Sequence, residues 1–417
     1  MKILFLSPYP AYPPRGGGAL RIWNLLRGLA QHHDITCLSF ASDAAAVVAL
    51  APMRAHCRLA TVIGPPPRSL AQRARATLTS RLPDLALRNA APAYREALSR
   101  LLAAERFDLV HAASLEMADY GLLARQFGVP LISLDQFNAE YLLQRRAALS
   151  DLRRGVAGTP RALLGGVYSL VQWRKLVAYE RRVVRDYDRV LVVSAEDQAA
   201  LARLAPQASL HVIPNGVDTS YFAPHDPPPP GLPRPFAART GEGGSDLVFT
   251  ATLDYRPNID ALVWFVQQVL PRIRAVQPAA RFVVVGRAAG PAVRALHDGD
   301  AVVVVGEVDD VRPSIGAAAA YVVPMRIGGG SRLKLLEALA LAAPVVSTPM
   351  GAEGIIGLED GKHLLLGATP AAFAAATLRL IADRELGRRL GAAGRAHVVS
   401  QYDWQAIIPR LEGVYGG

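Results

Sequence analysis

Short apolar runs alternate with helical segments along this chain, and the alternation stops once and then begins again. KILFLS (2–7), ITCLSF (35–40), DLVHAAS (108–114), PLISLDQ (130–136), RVLVVS (189–194) and LHVIP (210–214) each fit a strand of a parallel sheet buried on both faces. Helical segments separate them, beginning with ALRIWNLLRGLAQ, where Ile22, Leu26 and Leu29 share one stripe. Parallel strands need long crossovers, so such a series predicts an open α/β sheet. At 223–245 the composition changes to APHDPPPPGLPRPFAARTGEGGS. Successive prolines lack N–H donors and continue neither a helix nor a central strand, so this stretch reads as a linker or long loop. The alternation then restarts with the strands LVFTATL, RFVVVGR, AVVVVGE, AYVVPM and PVVST. Two α/β domains are expected, 1–222 and 246–399. Near the end, AAFAAATLRLIADRELGRRLGAAGRAHVV reads as a helical stretch broken by glycine, and 400–417 as a terminal helix interrupted at Pro409.

With 417 residues the chain is long enough for two sizeable cores. Its formal net charge of +11 suits an anionic partner: a phosphate-bearing ligand, an acidic membrane surface or nucleic acid. No recognisable nucleic-acid module accompanies that charge. Between Tyr141 and Val190, eleven Lys or Arg face four Asp or Glu, with Trp and Leu interleaved in YSLVQWRKLVAYERR. That pattern fits either a solvated helix face or a basic amphipathic helix lying on an anionic membrane. Cys37 and Cys57 are the only cysteines, which excludes a disulfide framework and a CxxC zinc pair. The N-terminus reads as a first strand rather than a signal peptide, and no apolar run is long enough to span a bilayer. The expected location is the cytoplasm, with peripheral attachment at the inner face of the membrane as an extension of that reading.

The stretch RIGGGSRLKLLEALALAAPVV, from Arg326 to Val346, carries the chemistry. Gly328, Gly329 and Gly330 leave backbone N–H groups open to close approach, and a helix expected from Ser331 aims further N–H groups the same way. Arg332 and Lys334 stand in the first turn, where a helix ordinarily prefers Asp or Glu. Two phosphates at that helix end would explain both cations. Glu337 lies where it could accept hydrogen bonds from vicinal hydroxyls. Gly16, Gly17 and Gly18 repeat the strand, glycine loop and helix order in the first domain, although the loop is too long for a dinucleotide-binding turn. His111 and Asp135 end strands there and are candidates to position or deprotonate an acceptor hydroxyl. Asp186-Tyr187-Asp188 and Asp298-Gly299-Asp300 each precede a strand and read as turns and caps. No metal site is expected.

Several segments together resemble the group 1 (family 4) glycosyltransferases: PRGGGALRIWNLLRGL, VLVVSAED, IPNGVDTSYFAP, PNIDALVWF, FVVVGR, the run from VVPMRIGGGS to PVVSTPMGAEGI, and the terminal YDW. The resemblance covers nearly the whole chain. It implies a GT-B fold, with two facing Rossmann-like domains, a central cleft and a C-terminal helix crossing back to the first domain. It also implies a nucleotide-diphosphate sugar as co-substrate, no other cofactor, and a glycan or lipid-linked acceptor held mostly by the first domain. By that likeness Glu337 takes the ribose, Arg332 and Lys334 the diphosphate, and Glu353 lies near the nucleotide. Gly17 and Gly18 would approach the donor. The family pattern has a glutamate eight residues before Glu337, where this chain has Gly329, and a phosphate-binding Arg and Lys where TLDYRPNID has only Arg256. The expected activity is hexosyl transfer with retention and without metal. The alternatives are a nucleotide-sugar epimerase on the same fold and a non-catalytic basic membrane-binding protein.

Overall fold

In the computed structural model, which describes residues 1–14, 16–156, 160–224, 245–327 and 332–416, the chain forms two compact units. The first comprises Met1–Pro214 with Ile408–Gly417, and the second Asn215–Ile407. Most of the proposed linker lies outside the described residues.

Seven parallel strands build the first sheet in the order β3-β2-β1-β4-β5-β6-β7. They are β1 Lys2–Ser7, β2 Asp34–Ala41, β3 Arg58–Ile63, β4 Leu109–Ala113, β5 Leu131–Gln136, β6 Arg189–Val192 and β7 Leu210–Val212. The second sheet has six strands in the order β10-β9-β8-β11-β12-β13. These are β8 Asp246–Thr250, β9 Arg281–Val285, β10 Val302–Gly306, β11 Ala320–Val323, β12 Val345–Ser347 and β13 Leu365–Leu366. Continuous apolar runs become these strands because helices cover both faces of each sheet. In each sheet the order reverses once, between β1 and β4 and between β8 and β11. Open α/β sheets bind ligands outside the carboxyl ends of the strands flanking such a reversal.

The sequence reading needs correction at two sheet edges and in the late helix; the two-residue strand β13 was not anticipated. β3 was not anticipated either: its pattern is RLATVI, it stands at the sheet edge, and its side chains are only partly buried. Half-covered edge strands lack the solid apolar signature of central ones. The long helical stretch near the end is broken at Asp383, not at glycine, giving helices Pro370–Ala382 and Arg384–Tyr402. Asp383 caps the second by accepting from the Leu386 N–H at 2.9 Å. Gly387, Gly391 and Gly394 instead stand inside that helix, facing neighbours. A Cβ on Gly391 would come within 2.0 Å of the Ala342 carbonyl oxygen, and one on Gly394 within 2.7 Å of Leu339. These glycines let the helix lie directly against Leu333–Ala340, the helix of the candidate site. Gly391→Ala is therefore expected to lower stability by about 1–3 kcal/mol, since the obstructing atom is backbone. Gly413→Ala, with nothing within 4 Å of its Cβ, should leave stability unchanged or slightly raised. Urea unfolding of both variants checks the contrast.

The DxD motifs are turns, as expected. Asp298 accepts from the N–H groups of Asp300 and Val302, each at 2.9 Å. Asp188 accepts from the Ile132 N–H and from Arg125, each at 2.8 Å. Cys37 and Cys57 are free and buried. Among the described residues no helix is long and apolar enough to cross a membrane.

Candidate active site

In the second unit, β8 and β11 run side by side at the reversal of strand order. The loop after β8 leads into the helix Arg256–Trp264, whose first turn carries Asn258, a buried side chain. Asn258 Nδ2 donates to the Thr252 carbonyl at 2.8 Å, and its Oδ1 accepts from Lys334 Nζ at 2.8 Å. The same ammonium lies over the Phe249 ring, 4.1 Å from its centroid. The helix bearing Lys334 spans Leu333–Ala340, so it starts two residues later than expected. Arg332 is its N-cap, with non-helical angles of φ −88° and ψ 74°. The Arg332 side chain is buried and donates to the Met350 carbonyl through Nη2 (3.1 Å) and Nε (3.3 Å). Two cations at a helix start are thus tolerated because one leans on a carbonyl and the other on an amide oxygen and an aromatic face.

Gly328, Gly329, Gly330 and Ser331 lie outside the described residues. The base of that stretch is pinned by Arg326, which pairs with Asp260 through Nη2 (2.6 Å) and Nε (3.0 Å). Glu337 is half-buried one turn beyond Lys334. Burial pushes its carboxyl up to about 7, with the Lys334 charge pulling the other way. Burial pushes Lys334 down to about 7, aided by the Arg332 charge and opposed by Glu337. In both groups burial disfavours the charged form while the opposite charge beside it restores part of it, a balance often met in functional sites. Glu353 is half-buried and ends the short helix Pro349–Ala352 that holds Met350, so Arg332 links it to the Lys334 helix. Arg332, Lys334, Glu337 and Glu353 are thereby brought to the strand ends of β8, β11 and β12.

In the first unit the expected residues divide. Gly17 opens the helix Gly17–Leu29, and a Cβ on Gly18 would meet the Tyr9 hydroxyl at 1.8 Å and Phe137 at 3.1 Å. A side chain at Gly18 would have to displace the Tyr9 hydroxyl. Asp135 lies next to the end of β5, whereas His111 is the middle residue of β4 and not its end, and both are completely buried. Asp135 receives Arg21, with Nε and Nη2 each within 2.7 Å of a carboxylate oxygen, and Arg21 Nη1 also donates to the Pro214 carbonyl at 3.1 Å. His111 Nδ1 shares a hydrogen bond of 2.6 Å with the Tyr415 hydroxyl, and burial pushes its imidazole down to about 4. The expected contact of these two side chains with an acceptor is corrected: enclosed by Arg21 and Tyr415, they lock the sheet, the first helix and the chain terminus together.

The groups that reach the strand ends here are others. Ser114, at φ 74°, donates to Glu116 Oε2 at 2.5 Å, and Arg88 pairs with Glu116 Oε1 at 3.3 Å. Burial and then the Glu116 charge push Glu140 up to about 7. A groove of about 600 Å³ adjoins Glu116, walled by Leu82, Ala91, Leu123 and Arg95. Tyr9, Phe137, Glu116 and Glu140 were missed in the sequence. The available signal was position: each lies one to four residues beyond the end of a strand.

Behind them, Glu180 caps the helix Glu140–Val156 by accepting the N–H groups of Glu140 (3.0 Å) and Tyr141 (2.9 Å). Burial pushes Glu180 up to about 8. A raised carboxyl means that the native state holds a proton which the unfolded state has lost between about pH 4.5 and 8. Stability is accordingly expected to fall as pH rises through that window. Glu180→Gln should flatten this component, which thermal melting from pH 5 to 8 measures.

Comparison with known proteins agrees with this geometry. The fold is that of GT-B glycosyltransferases: sucrose-phosphate synthase from Thermosynechococcus elongatus matches over all of this chain and 98% of its own, with a TM-score of 0.70 at 19% identity. An Anabaena protein, HepE, solved with UDP and glucose, matches over the full length of both chains with a TM-score of 0.67 at 16% identity. Residues 15–221 match Glycosyltransferase Family 4 and residues 244–383 match Glycosyl transferases group 1. A GDP-mannose-dependent alpha-(1-6)-phosphatidylinositol monomannoside mannosyltransferase of Mycobacterium tuberculosis is 30% identical over 65% of this chain and 71% of its own. The chain belongs to the group 1, family 4 glycosyltransferases.

Proposed function

We propose that this glycosyltransferase moves a hexosyl group from a nucleoside-diphosphate sugar to a hydroxyl of a glycan or lipid-linked saccharide, with retention and without a metal ion. The observation that carries the reading is the half-buried Lys334 ammonium at the β8/β11 reversal. Its neighbours suit the other parts of such a donor: Glu337 suits ribose hydroxyls, and Arg332 holds the Met350–Glu353 segment against the same edge. In the reaction the bond from the anomeric carbon to the diphosphate oxygen breaks, and a bond to the acceptor oxygen forms on the same face. The acceptor proton passes to the departing diphosphate. Positive charge fixed in advance at Lys334 stabilises that group as its charge develops, which is the role a metal ion serves elsewhere.

On the first unit, Tyr9, Phe137, Glu116 and Glu140 offer aromatic faces and carboxylates, the chemistry that holds a sugar's apolar face and its hydroxyls. A lipid-linked acceptor is favoured by the basic helices and by the mannosyltransferase relative, whose named acceptor is a phosphatidylinositol monomannoside. The helix Leu70–Thr79 packs on Pro160–Asp186, where Lys175 donates to the Thr77 carbonyl at 2.7 Å. Leu70 and Leu78 on it are 80% and 87% exposed, an apolar pair set among arginines that suits an anionic bilayer surface.

The test is incubation of the protein with GDP-mannose, UDP-glucose and related donors, with and without glycan and glycolipid acceptors, in the presence of EDTA. Acceptor-dependent release of nucleoside diphosphate, with the donor's anomeric configuration kept in the product by NMR, is the expected result. Conversion of the nucleotide sugar without acceptor would instead indicate epimerisation, and loss of activity in EDTA would overturn metal independence.

A further inference from the structure

Lys334 is held in an unusual way for a lysine that is to meet a diphosphate. Its ammonium has three N–H bonds. Among the described residues one finds a hydrogen-bond acceptor, Asn258 Oδ1 at 2.8 Å, and the Phe249 ring covers another side. Asn258 does not swing, because its Nδ2 is committed to the Thr252 carbonyl at 2.8 Å and the residue is buried. Its position is set twice over, by that bond and by its place in the first turn of Arg256–Trp264, directly after Pro257. An amide oxygen orients an ammonium without cancelling its charge. A carboxylate in the same place would bind the lysine more tightly, neutralise it and repel a phosphate. An alanine would leave the long, flexible side chain to find its own place.

We propose that Asn258 is a positioning residue for the donor diphosphate: it aims the Lys334 ammonium at the β8/β11 reversal and leaves that charge free to meet a phosphate oxygen. The inference rests on the donor-site reading above and names how that site is built. Charged or titratable groups acting on Lys334 are Arg332 and Glu337 from its own helix. The Glu337 charge in turn acts on Tyr321 on β11, which is itself bonded to Thr250 at 2.7 Å. Asn258, Phe249 and Thr250 supply no charge.

The test measures binding of GDP and UDP, and of guanosine and uridine, to wild type, Asn258→Ala, Asn258→Asp, Lys334→Ala and the Asn258→Ala/Lys334→Ala double variant. Thermal melting of each variant accompanies the titrations, which run from pH 6 to 9. Asn258→Ala is expected to weaken diphosphate binding about tenfold, the loss of one well-aimed charged contact, with nucleoside binding unchanged. In the Lys334→Ala background the same change should cost less than about twofold, because the two residues act as a unit. Asn258→Asp should also weaken diphosphate binding, and should move the pH above which affinity declines upward by about one unit or more.

Equal weakening of nucleoside and diphosphate, or an undiminished loss in the Lys334→Ala background, would make Asn258 merely structural and overturn the inference. Wild-type diphosphate binding by Asn258→Ala beside weak binding by Lys334→Ala would do the same while leaving the donor site standing. Wild-type binding by Lys334→Ala, or no binding of either diphosphate by the wild type, would remove the donor-site reading and the inference with it. Should Asn258→Ala fail to fold, the pH shift in Asn258→Asp decides: its absence counts against the proposal.

Discussion

Lys334→Ala is expected to lower glycosyl transfer about 100-fold or more, the usual scale for losing one fixed group that stabilises developing charge. The loss should fall on turnover rather than only on donor affinity, because charge on the diphosphate grows as the anomeric bond breaks. Lys334→Arg should recover little. A guanidinium is larger and planar, and the ammonium is seated between the Asn258 oxygen and the Phe249 face. Thermal melting should show the alanine variant folded, since it removes a half-buried cation whose burial already disfavours its charge. Steady-state kinetics with the best donor and acceptor pair provide the measurement. Wild-type turnover in Lys334→Ala would count decisively against the assigned role.

Asp135→Ala is expected to act in the opposite manner, through stability. The carboxylate and the Arg21 guanidinium are both fully enclosed and bonded at 2.7 Å. Removing the acid takes the counter-charge away from a buried guanidinium. Breaking a buried pair from one side typically costs about 3–5 kcal/mol. Arg21→Leu/Asp135→Leu, which removes both charges, should cost clearly less than Asp135→Ala, because neither partner is stranded. His111, held by Tyr415 beside this pair, should report the same loss: the 408–417 segment would loosen, and its amide protons would exchange faster. If Asp135→Ala melted like wild type yet lost transfer, the acid would have to be assigned to chemistry after all.

Much of this architecture was legible in the chain. Central strands of parallel sheets are covered on both faces, so their residues are apolar without a break, and runs such as KILFLS and RFVVVGR announce themselves. The edge strand β3 does not, because one side meets solvent and its composition is mixed. The break in the late helical stretch was assigned to glycine because glycine weakens helices. In the structure Asp383 ends one helix and caps the next, while the glycines serve contact between helices. For the site, the cation pair in RLK and the acid in LLEALA were readable, since charges that break a local rule invite a ligand explanation. Their partners were not. Asn258 lies 76 residues before Lys334, and nothing in PNID indicates which of its neighbours the amide will face. His111 and Asp135 were misread for the same reason: a polar residue in a strand looks alike whether it opens to a ligand or is sealed, as His111 is by Tyr415, 304 residues away.

What the sequence by itself determined was the order and kind of the elements, the doubled α/β plan and the residues bearing charge near the second glycine loop. Those follow from local physics: apolar periodicity, proline and glycine stops, and helix-end electrostatics act over a few neighbours. Only the tertiary structure decided which charges are satisfied and which are left to a ligand. That is settled by burial and by hydrogen bonds between distant segments, and the cost of an unpaired polar group depends on surroundings that the order of residues does not display.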